Sequence, residues 1–467
     1  METVGALGRL GSSALALLLV ACGSGRPGQA DPAASSDAPS ASASALPSAT
    51  SSEGEPITSP SNGGDGSNDP SSWRSIAIPP EPATGSPVAL TEGFDGGLLA
   101  LTQQVDMRPG DYEGESGSKL VVWHVTSDGR LDPAFAGDGS VTYTSGHAYK
   151  QFDVGGFERR PSDGSLILLS SVADSGSDQY TTAYRITRDG TLDDAYHRRH
   201  EPVLDRPDEE QYRMTTLGDD SVRYCTTSHD TVTLWGLTST GDEDDRLGPE
   251  GRRDQVIQHA RCGDADTNPD GQLVIGFMRL TRIVRCSADI ETQIELARVD
   301  ASSNVDTAWG GEPFPAVPIQ SADTYRVYGV QRMATVADGS TYVAGVTGTV
   351  NDCGHAQGDW HGFIMRADPD GHWDRGFGDD GLARFDGSYA VGLASSGSRL
   401  VVASNDQTGQ GRTYNIDGVV QTFDAATGEP IGAARRFPDS RVVGPVIQGS
   451  TVAVFAQGAI ERFPLEP

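Results

Sequence analysis

Eight residues in the 467-residue chain stand out for binding chemistry: Tyr149, Tyr212, Arg213, His259, Tyr325, Arg326, Tyr328 and Tyr389. Each lies shortly before a turn of the Asp-Gly type. Aromatic faces and guanidinium forks at such repeated positions suit a glycan or a peptide. The bland alternative is strand-end packing by half-buried tyrosines. Catalytic signatures are missing from the globular part. It has no Gly-x-Ser-x-Gly, no Gly-x-x-x-x-Gly-Lys and no His-Glu-x-x-His. Asp352, Cys353, His355, Asp359 and His361 form the densest group of metal-ligand types, but their spacing fits no zinc pattern. Asp368-Pro369-Asp370-Gly371 with Asp374 looks superficially like a calcium loop. Its counterparts elsewhere lack the same acids, so it reads as an Asx turn. No metal and no cofactor are expected. A glycan hydrolase or lyase would need two carboxylates converging on one substrate atom. The acidic residues look spread over turns, with no such pair at matching repeat positions.

Charge narrows the partners. Asp and Glu outnumber Lys and Arg by 65 to 35, for a net charge of −30. That balance excludes nucleic acid, which demands a basic face. It also excludes docking on anionic lipid through protein charge. With 58 glycines and 36% hydrophobic residues, the composition favours many short strands over a helical bundle.

The elements that must position the eight residues recur. Asp-Gly leads into an aliphatic run at 95, 163, 270 and 338, with looser copies at Asp219-Asp220, Ser396-Gly397 and Gln448-Gly449. The six intervals between residues 96 and 449 average about 59 residues, which makes seven units. A second signature lies between them: a strand, a turn, Leu-Asp or a substitute, then an aromatic. It ends at Phe135, Tyr196, Trp309 and Phe377, and the third unit degrades it to Gly241-Asp242. Strand-rich repeats of this length arrange radially as propeller blades. The expected fold is an all-β propeller of seven four-stranded blades over residues 73–467, with six blades or a split barrel as alternatives. The seventh unit stops without its outer strand, and Trp73–Ile78 is a spare strand candidate. Pairing the two would close the ring and remove an exposed edge. The eight residues would then converge on one mouth of the central channel.

The double signature resembles the delta-60 repeat family, best at Asp128–Phe135, Asp189–Tyr196 and Asp370–Gly378, and the likeness covers most of residues 85–385. The resemblance implies a propeller-like body and no enzymatic activity. Upstream, Leu10–Ala21 is apolar but too short to span a bilayer, and reads as an export signal over residues 1–21. Its exit, Leu19-Val20-Ala21-Cys22, resembles the bacterial lipobox, which implies lipidation of Cys22. Gly23 stands where an inner-membrane retention Asp would be, so an outer membrane is expected if the source has two. Residues 22–72 are Ser-, Ala-, Pro- and Gly-rich, a disordered stalk by composition. Four cysteines remain. Repeat register pairs Cys286 with Cys353 and Cys225 with Cys262, with Cys262–Cys286 as the alternative. The resulting expectation is a monomeric, lipid-anchored envelope module that binds an unknown protein or glycan without catalysis.

Overall fold

The computed structural model describes residues 74–78, 86–106, 117–144, 151–173, 179–196, 198–200, 213–228, 231–282, 291–300, 304–306, 309, 324–351, 356–410 and 413–465. Among them, strands form seven antiparallel sheets of four strands each, arranged as a β-propeller. Six blades each take four consecutive strands. The seventh combines Val442–Gln448, Thr451–Ala456 and Ala459–Pro464 with Ser75–Ala77 from the opposite end of the chain. Ser75 pairs with Glu461, Ile76 with Ile460 and Ala77 with Ala459, so the expected closing strand is present.

The inner strands of blades 1 to 7 are Ser86–Glu92, Gln151–Arg159, Arg213–Thr216, Ala260–Thr267, Thr324–Thr335, Tyr389–Ser396 and Val442–Gln448. Each contacts the inner strands of both neighbouring blades, and blade 7 contacts blade 1. Second strands are packed on both faces. Leu98, Leu99, Ala100 and Leu101 are therefore all buried, and the run is continuous where a half-exposed strand would alternate.

Turn chemistry sets the first hairpin of every blade. Gly164, Gly271 and Gly339 take φ of 71, 75 and 88°, which a side chain rarely tolerates. Blade 3 places Asp220 there, at φ 62°. Its carboxylate accepts from Arg160 Nη2 at 3.0 Å and from the Ser162 N–H at 3.0 Å, tying the turn to blade 2.

The second signature is an inter-blade wedge. Phe135 of blade 1 packs among Phe157, Leu166 and Leu168 of blade 2. Tyr196 enters blade 3 beside Met214 and Val222. Trp309 enters blade 5 beside Val330 and Val343, and Phe377 enters blade 6 beside Leu400 and Val402. In blade 3 the wedge is Leu247, packed with Leu273 and Ile275 of blade 4. The Asp of each signature anchors its wedge to a basic residue on the third strand. The pairs are His124–Asp132 at 2.9 Å, Arg185–Asp193 at 3.2 Å, Arg298–Asp306 at 3.2 Å and Arg366–Asp374 at 3.4 Å.

Blade 3 departs instructively. Its third strand carries Gly236 at the basic position, and Asp244 is the signature carboxylate. Arg223, reaching from the second strand, pairs with Asp244 instead, the two side chains being 5% and 3% exposed. A Cβ on Gly236 would lie 2.7 Å from Arg223 Nη1, so the missing side chain makes room for the substitute guanidinium. Arg246 and Arg223 hold Asp244 down at about 2 although burial opposes its ionisation.

Cys225 and Cys262 are disulfide-bonded, linking the second strand of blade 3 to the inner strand of blade 4. Cys22, Cys286 and Cys353 lie outside the described residues.

Candidate functional site

The innermost strand of a blade is an edge strand, with every second N–H and C=O turned away from its partner. Leu217 donates its N–H to Ser221 O at 2.8 Å, and alternation points the neighbouring Thr216 N–H to the inside of the ring. Val336 N–H bonds Ser340 O at 2.9 Å, which likewise frees the Thr335 and Met333 N–H groups. Unmet backbone donors are costly in an enclosed wall. Side chains from the preceding blade meet them.

Glu158 of blade 2 accepts the Thr216 N–H of blade 3 at 2.7 Å. From blade 4, Asp264 accepts the Met333 N–H at 2.8 Å and Asp266 the Thr335 N–H at 2.6 Å, both of blade 5. Gln331 of blade 5 accepts the Ala390 N–H of blade 6 at 2.7 Å. Carbonyls are served by Arg332, whose Nε donates to Val391 O at 2.9 Å and whose Nη1 donates to Gln331 O at 2.6 Å. Arg213 Nε lies 4.0 Å from Asp264 Oδ1.

The electrostatics of this wall are unusual. Burial, then the charge of Asp266, pushes Glu158 up to about 8. Burial raises Asp266 to about 7 although the Thr335 and Thr267 N–H groups favour its anion. Asp264 is also raised by burial, against the pull of Arg332 and Arg213. Arg332 is brought down to about 10 by burial and by the positive charge of Arg213. Glu158, Asp266 and Arg332 each retain some water-accessible surface while blades enclose them on both sides. That combination explains groups that meet solvent yet shift as buried ones do.

Of the eight residues singled out by sequence, Arg213 begins the inner strand of blade 3 and faces Asp264. Tyr389 begins the inner strand of blade 6 and is half-buried. Tyr325, Arg326 and Tyr328 lie on the inner strand of blade 5. His259 is an exposed turn residue at φ 52° between the outer strand of blade 3 and the inner strand of blade 4. Tyr149 and Tyr212 lie outside the described residues.

Sequence reasoning missed Glu158, Asp264, Asp266 and Arg332. Glu158 and Asp266 are each the penultimate residue of an inner strand, and each accepts the N–H of the last residue of the next blade's inner strand, Thr216 and Thr335. The signal was present, since Glu158 stands five residues before Asp163 and Asp266 four before Asp270. His124 and Asp132 form the one His–carboxylate pair with a ring nitrogen within 3 Å among the described residues. Arginine fills the same place in blades 2, 4 and 5, so the pair is a wedge brace.

No family model matches the chain, and no curated protein matches it. Solved structures do. A B. megaterium levansucrase mutant is 12% identical, with a TM-score of 0.34, covering 76% of this chain and 85% of the other. Extracellular domains of Drosophila Semaphorin 1a are 10% identical, with a TM-score of 0.41 and coverage of 84% and 88%. A thermostable family-43 glycoside hydrolase is 12% identical, with a TM-score of 0.31 and coverage of 68% and 95%. Likenesses this distant carry no argument about activity.

Proposed function

We propose that the protein is a lipid-anchored β-propeller of the cell envelope, a non-catalytic binding or scaffold module for a protein or glycan ligand. The observation that supports it is the use of the inner-wall carboxylates. Glu158, Asp264 and Asp266 each hold a backbone N–H of a neighbouring inner strand, so they work as braces of a rigid ring. In this reading residues 1–21 are the export signal, Cys22 carries the lipid, residues 22–72 are the stalk and 73–467 the propeller of delta-60-like repeats. Several acyl chains on Cys22 would hold far more firmly than one.

One observation favours a second reading, a propeller-fold glycan hydrolase or lyase. Glu158, pushed up to about 8, is a protonated carboxyl at neutral pH, the state a general acid requires.

Metabolic labelling with an alkyne fatty acid, together with a glycan array probed by the same protein, tests the proposal. Label is expected on the wild type and not on Cys22→Ser, with saturable array binding that Glu158→Gln preserves. Absence of label on the wild type would remove the anchor. Glycan turnover abolished by Glu158→Gln would establish the enzyme reading in place of the binding module.

A further inference from the structure

In blades 2 to 5 an arginine braces the signature aspartate and keeps its charge at any physiological pH. Blade 1 uses His124, whose charge is conditional. Its first turn differs as well. In blades 2 and 5 that turn ends in a serine that receives another N–H of the brace. Arg185 Nε donates to Ser165 Oγ at 3.1 Å, and Arg366 Nη2 to Ser340 Oγ at 3.3 Å. Blade 1 has Gly97 at this register, directly after Asp95-Gly96. His124 Nδ1 meets Asp132 Oδ2 at 2.9 Å, and because a carboxylate only accepts, Nδ1 carries the hydrogen. Nε2 is buried without a hydrogen-bond partner. The ring makes T-shaped contacts with Phe94 at 5.0 Å and Phe135 at 5.6 Å. Phe94 O, the backbone acceptor that favours a protonated ring, already receives the Gly97 N–H at 2.7 Å. A neutral imidazole suits this pocket, whereas a second, charged N–H buried there is costly.

We propose that His124 is a proton-sensitive latch on the seam between blades 1 and 2: acidification releases the Phe135 wedge there, while the arginine-braced seams stay closed. The latch is independent of what the ring binds. Phe135 packs among Phe157, Leu166 and Leu168 of blade 2. The next residue, Ala136, donates its N–H to Asp189 O of blade 2 at 2.7 Å. Burial pushes the imidazole below its ordinary 6.5, against the pull of Asp132, the Phe94 carbonyl and Asp95. From blade 2, Arg188 pairs with that Asp95, and Arg159 donates to Gly93 O at 3.1 Å. Once the wedge lifts into water, His124 takes up a proton at its ordinary value. The open seam therefore binds more protons than the closed one, so acid favours opening below 6.5 and has no effect well above it. Glu158 and Asp266 act on the whole ring in the opposite sense, which makes the latch a local change.

Hydrogen exchange of the full chain, read by mass spectrometry and corrected for intrinsic exchange rates, compares two equivalent amides. Ala136 reports the seam between blades 1 and 2. Gly378 follows the wedge residue Phe377, donates to Thr427 O at 2.7 Å, and reports the arginine-braced seam between blades 5 and 6. Protection around Ala136 is expected to fall about threefold to tenfold from about pH 7.5 to about pH 5.5, with that around Gly378 unchanged or raised. In His124→Asn the side-chain amide keeps a donor for Asp132 but cannot titrate, so the fall should vanish. A parallel fall at both seams, no fall at Ala136, or a fall that persists in His124→Asn overturns the latch. Should that variant fail to fold, the wild-type imidazole decides. Its ring signals, followed by NMR, should titrate with a midpoint below 6.5, and a midpoint at or above 6.5 overturns the proposal.

Discussion

Arg223 shows how a repeat protein repairs a defect one residue at a time. In blades 2, 4 and 5 an arginine on the third strand neutralises the signature aspartate. Blade 3 has Gly236 in place of that arginine, and Arg223 on the adjacent strand reaches the signature carboxylate of Asp244. Both partners are deeply buried, so removing one strands a charge, at a cost of about 3–5 kcal/mol. Arg246 also contacts Asp244 and places Arg223→Ala at the lower end of that range. Adding Gly236→Arg to Arg223→Ala restores the arrangement of the other blades, in space that Arg223 has vacated once the end of the Leu247 side chain, 2.5 Å from the new Cβ, turns aside. The double variant is expected to recover at least about 1 kcal/mol over the single in urea unfolding. No recovery would mean that the position of the cation, beyond its presence, is what blade 3 requires.

Inner strands carry their own pH dependence. Glu158 is largely neutral in the folded ring up to about 8, but an ordinary carboxyl ionises near 4.5 once unfolded. Between these values the folded state holds the extra proton, so stability falls as pH rises and levels off above about 8. Asp266 acts in the same direction up to about 7. Glu158→Gln retains an amide oxygen for the Thr216 N–H and cannot ionise. Its unfolding temperature should therefore decline less steeply than the wild type's between about pH 5 and pH 8. Equal slopes would show that Glu158 is not the buried acid described here. The inner wall was the least legible part of the sequence. Asp-Gly turns and Leu-Asp-x-x-aromatic wedges announce themselves because their backbone geometry or burial admits few residues. Glu158 and Asp264 answer a need that arises only when a neighbouring strand, about seventy residues away in the case of Asp264 and Met333, brings an unpaired N–H alongside. Arg213 was found because it begins a strand. Arg332 was missed because it sits within one, beyond a β-bulge between Val330 and Arg332.

Closure belongs to the whole molecule. Ile78 is buried among Leu98, Val443 and Phe455, so the closing segment contributes core as well as hydrogen bonds. The Ile78 N–H bonds Gly458 O at 3.0 Å, and the Arg462 N–H bonds Arg74 O at 2.8 Å. A chain beginning at residue 79 loses these contacts, and one beginning at residue 73 keeps them. At a few degrees per kcal/mol, the shorter chain is expected to melt at least about 5 °C lower. Indistinguishable melting curves would mean that the other six inter-blade contacts hold the ring unaided. The seven units and the spare strand were readable because a blade missing its outer strand and a strand without a blade are complementary gaps. The long stretches between residues 107–116, 201–212 and 310–323 offered no such pattern.

The pairing of Ser75 with Glu461 spans 386 residues of sequence. At ribosomal speeds of 5–20 residues per second, the first strand is made roughly 20–80 s before its neighbour exists. Throughout that interval six blades can assemble while the opening segment has nothing to join. Its three residues are correspondingly short, with exposed Ser75 and Ala77 flanking Ile76. A segment that must wait so long is safest when it is too brief to recruit a stranger.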